Sequence, residues 1–289
     1  MSRVLIIGAS GLVGGGLYKH ISTLNETVGT FKKFPLKDFV CLDITDRQGI
    51  QELISKVSPE YVFLPAALTN VDLCEEQSDF CQKINVQGVK NVVDVIRGIS
   101  SKLIYFSSDY VFDGHNGPYA EDDIPSPLTE YGRSKLAAEQ NIQLQLKNYL
   151  IIRTTCVYGW EAQGKNFVIN LINKSKSPSV VEVPCDQITS PTYVGNLASI
   201  TWELARRDKI GIYNVVDDSI LSRLEFALTV ADIFGLDKSL IRGVTTESMK
   251  RKASRPLNAG LKTGKIKKEM DLRINDVRRS LLLMQREKR

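Results

Sequence analysis

The stretch Val4-Leu-Ile-Ile-Gly-Ala-Ser-Gly-Leu-Val-Gly14 decides the fold of this chain. Its apolar start, Val4 to Ile7, predicts a buried strand, and the apolar spacing from Leu12 to Leu24 predicts a helix. The glycines between them permit a tight turn, close approach of the main chain to a pyrophosphate, and close packing of helix on strand, while the helix N-terminus offers unpaired N–H groups. The stretch therefore predicts a dinucleotide site contacted by Gly8, Ser10, Gly11, Leu12, Val13 and Gly14.

Strand-length apolar segments and helical segments alternate from this stretch to Arg153. The predicted strands are 4–7, 26–31, 39–42, 61–64, 102–107 and 149–153, and the predicted helices are 12–24, 47–57, 80–98 and 134–146. Uniformly apolar strands separated by helices imply a parallel sheet that is buried on both faces. Right-handed crossovers then give an α/β fold with a doubly wound parallel sheet, the Rossmann arrangement.

The alternation breaks after Arg153, where loops rich in Gly, Asn and Pro appear. One later segment, 211–216, is expected to return to the sheet as a strand. We therefore predict two lobes. Residues 1–155 and about 192–216 form the dinucleotide-binding domain, and residues 156–191 and 217–289 form a smaller substrate-binding lobe.

Composition narrows the class of protein. The 289 residues are 43% hydrophobic and 25% charged, as in ordinary globular proteins, with a net charge of +5. Basic residues concentrate after Lys250 without interleaved aromatics, which favours a surface facing an anionic ligand over a nucleic-acid site. Five cysteines without metal-ligand spacing predict reduced thiols, no metal and a cytoplasmic protein, and no apolar segment reaches the roughly 18 residues of a membrane span. We expect a homodimer, the commonest assembly.

The second strand indicates which dinucleotide binds. It ends in Thr30-Phe31-Lys32-Lys33, without the acidic residue that would hold the adenosine 2′-hydroxyl of NADH. Lys32 and Lys33 would suit the 2′-phosphate of NADPH, or they are ordinary surface lysines; the cofactor is therefore NADPH or NADH, and we favour NADPH. The remaining expected contacts follow the third and fourth strands: Asp43 and Ile44 near the adenine, and the small residues Ala66 and Ala67.

Tyr131-Gly-Arg-Ser-Lys135 supplies the candidate chemistry. Tyr131 and Lys135 are four residues apart, so they share one face of a helix. An adjacent ammonium would lower the pKa of the phenol and suit it to acid–base catalysis. A hydroxyl partner, Ser108, follows the fifth strand, at the sheet edge where parallel α/β sheets place their sites.

These motifs together resemble the extended short-chain dehydrogenase/reductases, and several further segments narrow the resemblance to the dTDP-4-dehydrorhamnose reductase family. The segments are Ala66 to Glu75, Ile84-Asn85, Phe106 to Gly114, Pro118-Tyr119, Pro127 to Lys135, Arg153 to Gly159, Asp186-Gln187, Ser190 to Thr192 and Arg255 to Asn258. They cover nearly the whole chain in order. Two positions depart from the family: Cys156 stands where tryptophan is common and Leu68 where histidine is common, which leaves the sugar open.

The resemblance implies an NAD(P)H-dependent oxidoreductase that reduces a nucleotide-linked 4-keto-6-deoxy sugar. Ser108, Tyr131 and Lys135 would be the catalytic triad, with Ser108 on the C4 carbonyl, Tyr131 as the proton donor and Lys135 on the cofactor's ribose. Tyr110, Asn166 and Arg255 would contact the sugar nucleotide. The segment from Ser107 to Lys135 is also similar to the regulatory β subunit of methionine adenosyltransferase. A non-catalytic dinucleotide-binding subunit, or another nucleotide-sugar reductase or epimerase, therefore stays open as an alternative.

Overall fold

The computed structural model describes residues 1–161, 163–177 and 179–287, and within them the chain forms thirteen strands and eleven α-helices. The strands are β1 (Arg3–Ile6), β2 (Glu26–Phe31), β3 (Val40–Cys41), β4 (Tyr61–Leu64), β5 (Lys102–Ser108), β6 (Tyr149–Thr154), β7 (Val157–Tyr158), β8 (Val181–Pro184), β9 (Ile188–Thr189), β10 (Thr192–Tyr193), β11 (Gly211–Asn214), β12 (Leu221–Ser222) and β13 (Ile241–Val244). The helices are α1 (Leu12–Ile21), α2 (Arg47–Val57), α3 (Val71–Glu76), α4 (Ser78–Gln82), α5 (Gly88–Ile96), α6 (Glu130–Gln145), α7 (Phe167–Lys174), α8 (Val194–Arg206), α9 (Arg223–Phe234), α10 (Gly264–Met270) and α11 (Val277–Arg286).

Seven strands form one parallel sheet in the order β11-β6-β5-β4-β1-β2-β3. The predicted doubly wound Rossmann sheet is therefore confirmed, including the return of β11. The strand order reverses between β1 and β4, and such a switch point opens a crevice at the carboxyl ends of the strands. The glycine-rich turn after β1 and the segment after β4, residues 66–68 (the Ala66 segment), meet at this crevice.

Apolar side chains cover both faces of the sheet, as uniformly apolar strands require. Val4 and Ile6 point into one core, which includes helices α1 and α8, and Leu5 and Ile7 point into the other, which includes α2 and α5. A third cluster of buried residues lies between β7, β8, β10, α7, α9 and α11, and most of its members come from the segments predicted for the second lobe. Ile266 of α10 packs into the core of the large sheet, although it lies in the sequence region predicted for the second lobe.

Three predicted helices differ in the structure, the first only because α1 ends at Ile21 instead of 24. The segment 80–98 contains a π-helical turn, Lys83–Gln87, between α4 and α5, which directs Asn85 toward the Ala66 segment. Helix α6 begins at Glu130 instead of 134 because the hydroxyl of Thr129 accepts a hydrogen bond from the Gly132 amide at 3.0 Å and caps the helix. Tyr131 therefore lies in the first turn of α6.

No helix among the described residues is long and apolar enough to cross a membrane. No group of three or more potential metal ligands occurs in the same part of the chain. All five cysteines are free, and Cys74 and Cys81 are buried.

Candidate active site

The glycine-rich turn has the close packing that its sequence predicts. Gly8 has a φ of +98°, and a Cβ there would lie 2.9 Å from the Ala66 Cα. A Cβ on Gly14 would lie 2.2 Å from the Gly8 carbonyl oxygen, so a side chain at either position would force the backbone apart. Gly11 is the N-cap of α1 and supplies no side-chain cap, which leaves the first N–H groups of this ten-residue helix available. The turn fits a pyrophosphate.

A cavity of about 1020 Å³ opens beside this turn. Ser10, Gly11 and Leu12 line one side of it, and Phe34 and Gln163 line another. Its volume is at the upper end of the usual range for small-molecule sites. The structure therefore offers room for an extended ligand next to the N-terminus of α1.

Asn85 fixes the segment that faces Gly8. Its amide oxygen accepts from the Leu68 N–H at 2.8 Å, and its amide nitrogen donates to the Leu68 carbonyl at 3.0 Å. The same nitrogen donates to the Ser134 hydroxyl of α6 at 3.0 Å. The predicted cofactor segment at Ala66 and Ala67 is thereby tied to the helix that carries Tyr131 and Lys135.

Lys32 and Asp43, two predicted cofactor contacts, touch each other. The Lys32 Nζ lies 2.8 Å from Asp43 Oδ2, and this hydrogen bond raises the pKa of Lys32. Asp43 also accepts from the Thr45 N–H and hydroxyl, and Ile44 is buried beside it. Both charged side chains lie past the ends of β2 and β3, and Lys33 is exposed there. A phosphate at Lys32 would compete with Asp43 for the ammonium.

Ser108 ends β5 and is joined to a buried carboxyl group that the sequence analysis did not single out. Its hydroxyl donates to Asp109 Oδ1 at 2.8 Å, and the Thr155 hydroxyl donates to Asp109 Oδ2 at 2.6 Å. Asp109 is 4% exposed. Burial raises its pKa to about 6, against the hydrogen bonds from Thr155 and Ser108 and the nearby charge of Arg223. The acidic residue after Ser108 was the signal that could have identified it.

Tyr131 lies beside Ser108, and the pKa of its phenol is raised, whereas the sequence analysis predicts that it is lowered. Burial raises the pKa of its phenol, and the hydrogen bond with Ser108 opposes that rise. The expected lowering by Lys135 is wrong for this arrangement, because the Lys135 ammonium donates to the Phe106 carbonyl at 2.5 Å and lies 4.2 Å from the Tyr105 ring centroid. A phenol with a raised pKa is protonated near neutral pH, as a proton donor must be.

Lys135 is 2% exposed and projects from α6 onto β5. Burial lowers its pKa to about 7, and the Glu139 carboxylate one turn later acts against this shift. Glu139 itself pairs with Arg153 of β6 through two hydrogen bonds, at 3.1 Å and 2.7 Å. Both partners are at most 2% exposed. A buried ion pair therefore fixes α6, and with it Tyr131 and Lys135, against the sheet.

The three predicted substrate contacts differ in how they are engaged. The Tyr110 ring packs edge-on against Tyr131, with ring centroids 5.6 Å apart. Asn166 caps α7, and its amide nitrogen donates to the Gly159 carbonyl at 2.9 Å, so its side chain is held by the protein. Arg255 donates to Asp72 Oδ2 and to the Ala253 carbonyl, each at 2.8 Å. Tyr110 therefore lies at the triad, whereas Asn166 and Arg255 are already hydrogen-bonded within the chain.

A second cation that the sequence analysis did not consider lies near Asp109. Arg223, the first residue of α9, places its Nη1 2.6 Å from the Cys156 sulfur. It lies close enough to Asp109 to influence the pKa of that carboxyl. No local motif marks Arg223, and the fold brings it to residues about 70 and 110 positions earlier in the chain.

The sequence matches a known protein family over nearly its whole length. The family model described as the RmlD substrate binding domain matches residues 2–289. The chain is 32% identical to dTDP-4-dehydrorhamnose reductase of Aggregatibacter actinomycetemcomitans, over 97% of each protein. It is also 32% identical to methionine adenosyltransferase 2 subunit beta of Xenopus laevis, over 92% of this chain and 82% of that relative.

The fold matches a solved structure over nearly its whole length. A crystal structure of dTDP-4-dehydrorhamnose reductase from Bacillus anthracis in complex with NADP superimposes with a TM-score of 0.92. The two sequences are 30% identical, and the match covers 99% of both chains.

Proposed function

Because the chain belongs to the RmlD substrate-binding domain family, we propose that it is an NADPH-dependent reductase of a nucleotide-linked 4-keto-6-deoxy sugar. The observation that carries the proposal is the convergence of Ser108, Tyr131 and Lys135 where β5 and α6 meet. Tyr131 lies close enough to Ser108 for the serine hydroxyl to lower the pKa of its phenol, and Lys135 lies one turn along the same helix. This is the residue set that protonation of a reduced carbonyl requires.

The residues that would hold the cofactor are those of the glycine-rich turn and the switch-point crevice. The free N–H groups at the start of α1 would bind the pyrophosphate, Lys32 the adenosine 2′-phosphate, and Lys135 a ribose hydroxyl. When bound, the reduced nicotinamide supplies a hydride to C4 of the sugar. Ala66 and Ala67 leave space at this point because their side chains are small.

The chain's own residues would manage the proton. Ser108 rotates its hydroxyl from Asp109 to the C4 carbonyl oxygen and orients it, and Tyr131 donates its phenolic proton to that oxygen as the negative charge develops. Lys135, once its ammonium turns to the ribose, stabilises the phenolate that remains. Burial of Tyr131 and Lys135 excludes water from this transfer and strengthens each electrostatic interaction.

The direct test is oxidation of NADPH by the purified protein in the presence of enzymatically made dTDP-4-keto-6-deoxy hexoses. Loss of absorbance at the reduced nicotinamide, together with a dTDP-6-deoxyhexose product in mass spectrometry, supports the proposal. Binding of NADPH without turnover on any nucleotide-linked keto-sugar contradicts it.

The similarity to methionine adenosyltransferase 2 subunit beta favours a second candidate function, a non-catalytic dinucleotide-binding regulatory subunit. This candidate predicts a stable complex with a methionine adenosyltransferase catalytic subunit and a changed rate of S-adenosylmethionine synthesis. Size-exclusion chromatography and the synthetase assay, run beside the reductase assay, separate the two functions.

Lys32→Glu should reduce the preference for NADPH over NADH by about tenfold, because it replaces a charge-assisted phosphate contact with repulsion. Isothermal titration with both cofactors measures the ratio. Lys37→Glu is the matched control, since Lys37 is also exposed in the loop after β2 but makes no ion pair among the described residues. Equal affinities of the unmodified protein for NADPH and NADH would leave Lys32 as surface charge.

Arg255→Ala should raise KM for the sugar nucleotide more than it lowers kcat, because this guanidinium adds positive charge near Tyr110, where an anionic substrate would bind, and takes no part in proton transfer. Steady-state kinetics at saturating NADPH give the two constants. Asp72→Asn is the control, because it weakens the ion pair but keeps the guanidinium. An unchanged KM in Arg255→Ala assigns this arginine to structure alone.

A further inference from the structure

Arg223 has a guanidinium that the protein leaves largely without acceptors. Its backbone N–H donates to the Gln187 carbonyl at 2.8 Å, which anchors the start of α9. Its side chain is half-buried, contacts the Cys156 sulfur, and lies over the Phe167 ring at 5.4 Å from the ring centroid. Within residues 1–161, 163–177 and 179–287 no carboxylate forms an ion pair with it, and sulfur is a weak acceptor.

A chain of short contacts links the Arg223 guanidinium to the hydroxyl of Ser108. Cys156 follows Thr155, whose hydroxyl bonds to Asp109, and Asp109 in turn accepts the hydroxyl of Ser108. Arg223 is thus linked to Ser108 through Cys156, Thr155 and Asp109 and does not contact Ser108 directly. The positive charge of Arg223 acts to lower the pKa of Asp109 and of Tyr110, although Arg223 forms no ion pair with either residue.

Two further arginines extend the positive charge away from the triad. Burial raises the pKa of the Tyr110 phenol, and the charges of Arg255, Arg223 and Arg251 all act to lower it. Arg255 is neutralised by Asp72 at 2.8 Å. Arg251 has only a long contact to the Met249 sulfur, at 3.6 Å, among the described residues. Of these three arginines, Arg223 and Arg251 therefore have no carboxylate partner among the described residues.

A partly desolvated guanidinium without an anionic partner is unfavourable, and arginine matches phosphate oxygens with two parallel N–H groups. In a 4-keto-6-deoxy sugar nucleotide the anion nearest the sugar is the β-phosphate on C1. C1 lies across the pyranose ring from C4, so a phosphate contact must be one ring width away from the group that orients the C4 oxygen. Asp109, Thr155 and Cys156 separate Arg223 from Ser108, so the guanidinium does not share the carbonyl contact proposed for Ser108.

We propose that Arg223 binds the sugar-proximal phosphate of the substrate's diphosphate, with Arg251 as the second cation. This inference rests on the proposed function for its substrate, and it assigns the main phosphate contact to a residue whose hydrogen-bonding groups are free, in contrast to Arg255. The small Cys156 side chain lets the guanidinium approach to 2.6 Å from its sulfur. Arg223 is a binding and specificity residue, and the proton transfer does not pass through it.

The test is the affinity for dTDP and for dTMP, measured by isothermal titration in the presence of saturating NADPH. The two probes differ by the phosphate that would meet Arg223. Arg223→Gln should weaken dTDP binding by about 10- to 100-fold, the loss of a charge-assisted hydrogen bond, and change dTMP binding much less. Arg223→Lys, which keeps the charge but not the bidentate geometry, should lie between. Arg97→Gln is the matched control on an exposed helix end.

NADPH affinity and the melting temperature, measured on every variant, identify a folding defect; if Arg223→Gln fails to fold, the decision passes to Arg223→Lys. A dTDP affinity within twofold of the unmodified protein in a folded variant overturns the role of Arg223 alone. A loss that appears only with the sugar nucleotide and not with dTDP also overturns it, because the contact would then be on the sugar. An unmodified protein that binds NADPH but neither dTDP nor UDP overturns the proposed function, and this inference with it.

Discussion

Replacing Glu139 with glutamine is expected to lower the free energy of unfolding by about 3–5 kcal/mol. The substitution keeps the size of the side chain but removes the charge opposite Arg153, which is 2% exposed and has no other carboxylate partner among the described residues. A buried guanidinium without its counter-ion keeps the full cost of desolvation. Equilibrium unfolding in urea, followed by circular dichroism, measures the loss.

An exposed ion pair provides the control for this effect. Glu203 bonds to Arg206 and Arg207, whose side chains are 54% and 44% exposed. Glu203→Gln should cost less than about 1 kcal/mol, because solvent screens such pairs. Replacing Glu139 and Arg153 together by leucine and methionine should recover much of the stability lost in Glu139→Gln. If Glu139→Gln and Glu203→Gln lower the free energy of unfolding equally, the buried ion pair contributes no more to stability than the exposed one.

The sequence determines this fold wherever one local signal decides an element. Helix α2 has the predicted bounds because Asp46 caps it and accepts from the Gly49 amide. The turn at Gly8 follows from a glycine that must adopt a positive φ against Ala66. The start of α6 could also be predicted from the sequence, because threonine is a good N-cap and Thr129 directly precedes the helix. The predicted start at residue 134 does not use that signal.

Long-range contacts decide the features that local patterns could not predict. The π-helical turn at Lys83–Gln87 is set by the hydrogen bonds between Asn85 and the distant Leu68 backbone. The direction of the Tyr131 pKa shift depends on which way the Lys135 ammonium turns, and spacing along a helix gives only proximity. Arg223 reaches Cys156 because the fold brings the start of α9 to a distant part of the chain, so neither its sequence neighbours nor its spacing identifies it.

Tyr131→Phe is expected to lower turnover by roughly 10²–10⁴ while NADPH affinity changes little. The variant removes only the phenolic hydroxyl, so the developing charge on the C4 oxygen loses its proton donor. The ring still packs against Tyr110, and the Thr129 cap of α6 is untouched, so folding should survive. Single-turnover kinetics measure the chemical step, and cofactor titration by fluorescence supplies the binding constant.

Lys135→Ala separates catalysis from binding at the same site. Lys135 would contact the ribose and also stabilise the phenolate, so this variant should lose both turnover and NADPH affinity, whereas Tyr131→Phe should lose turnover alone. A Tyr131→Phe protein with unchanged turnover would exclude the phenol as the acid. If the unmodified protein binds NADPH yet reduces no keto-sugar nucleotide, Tyr131 has no proton to deliver, and the regulatory-subunit function becomes the better account of the same pocket.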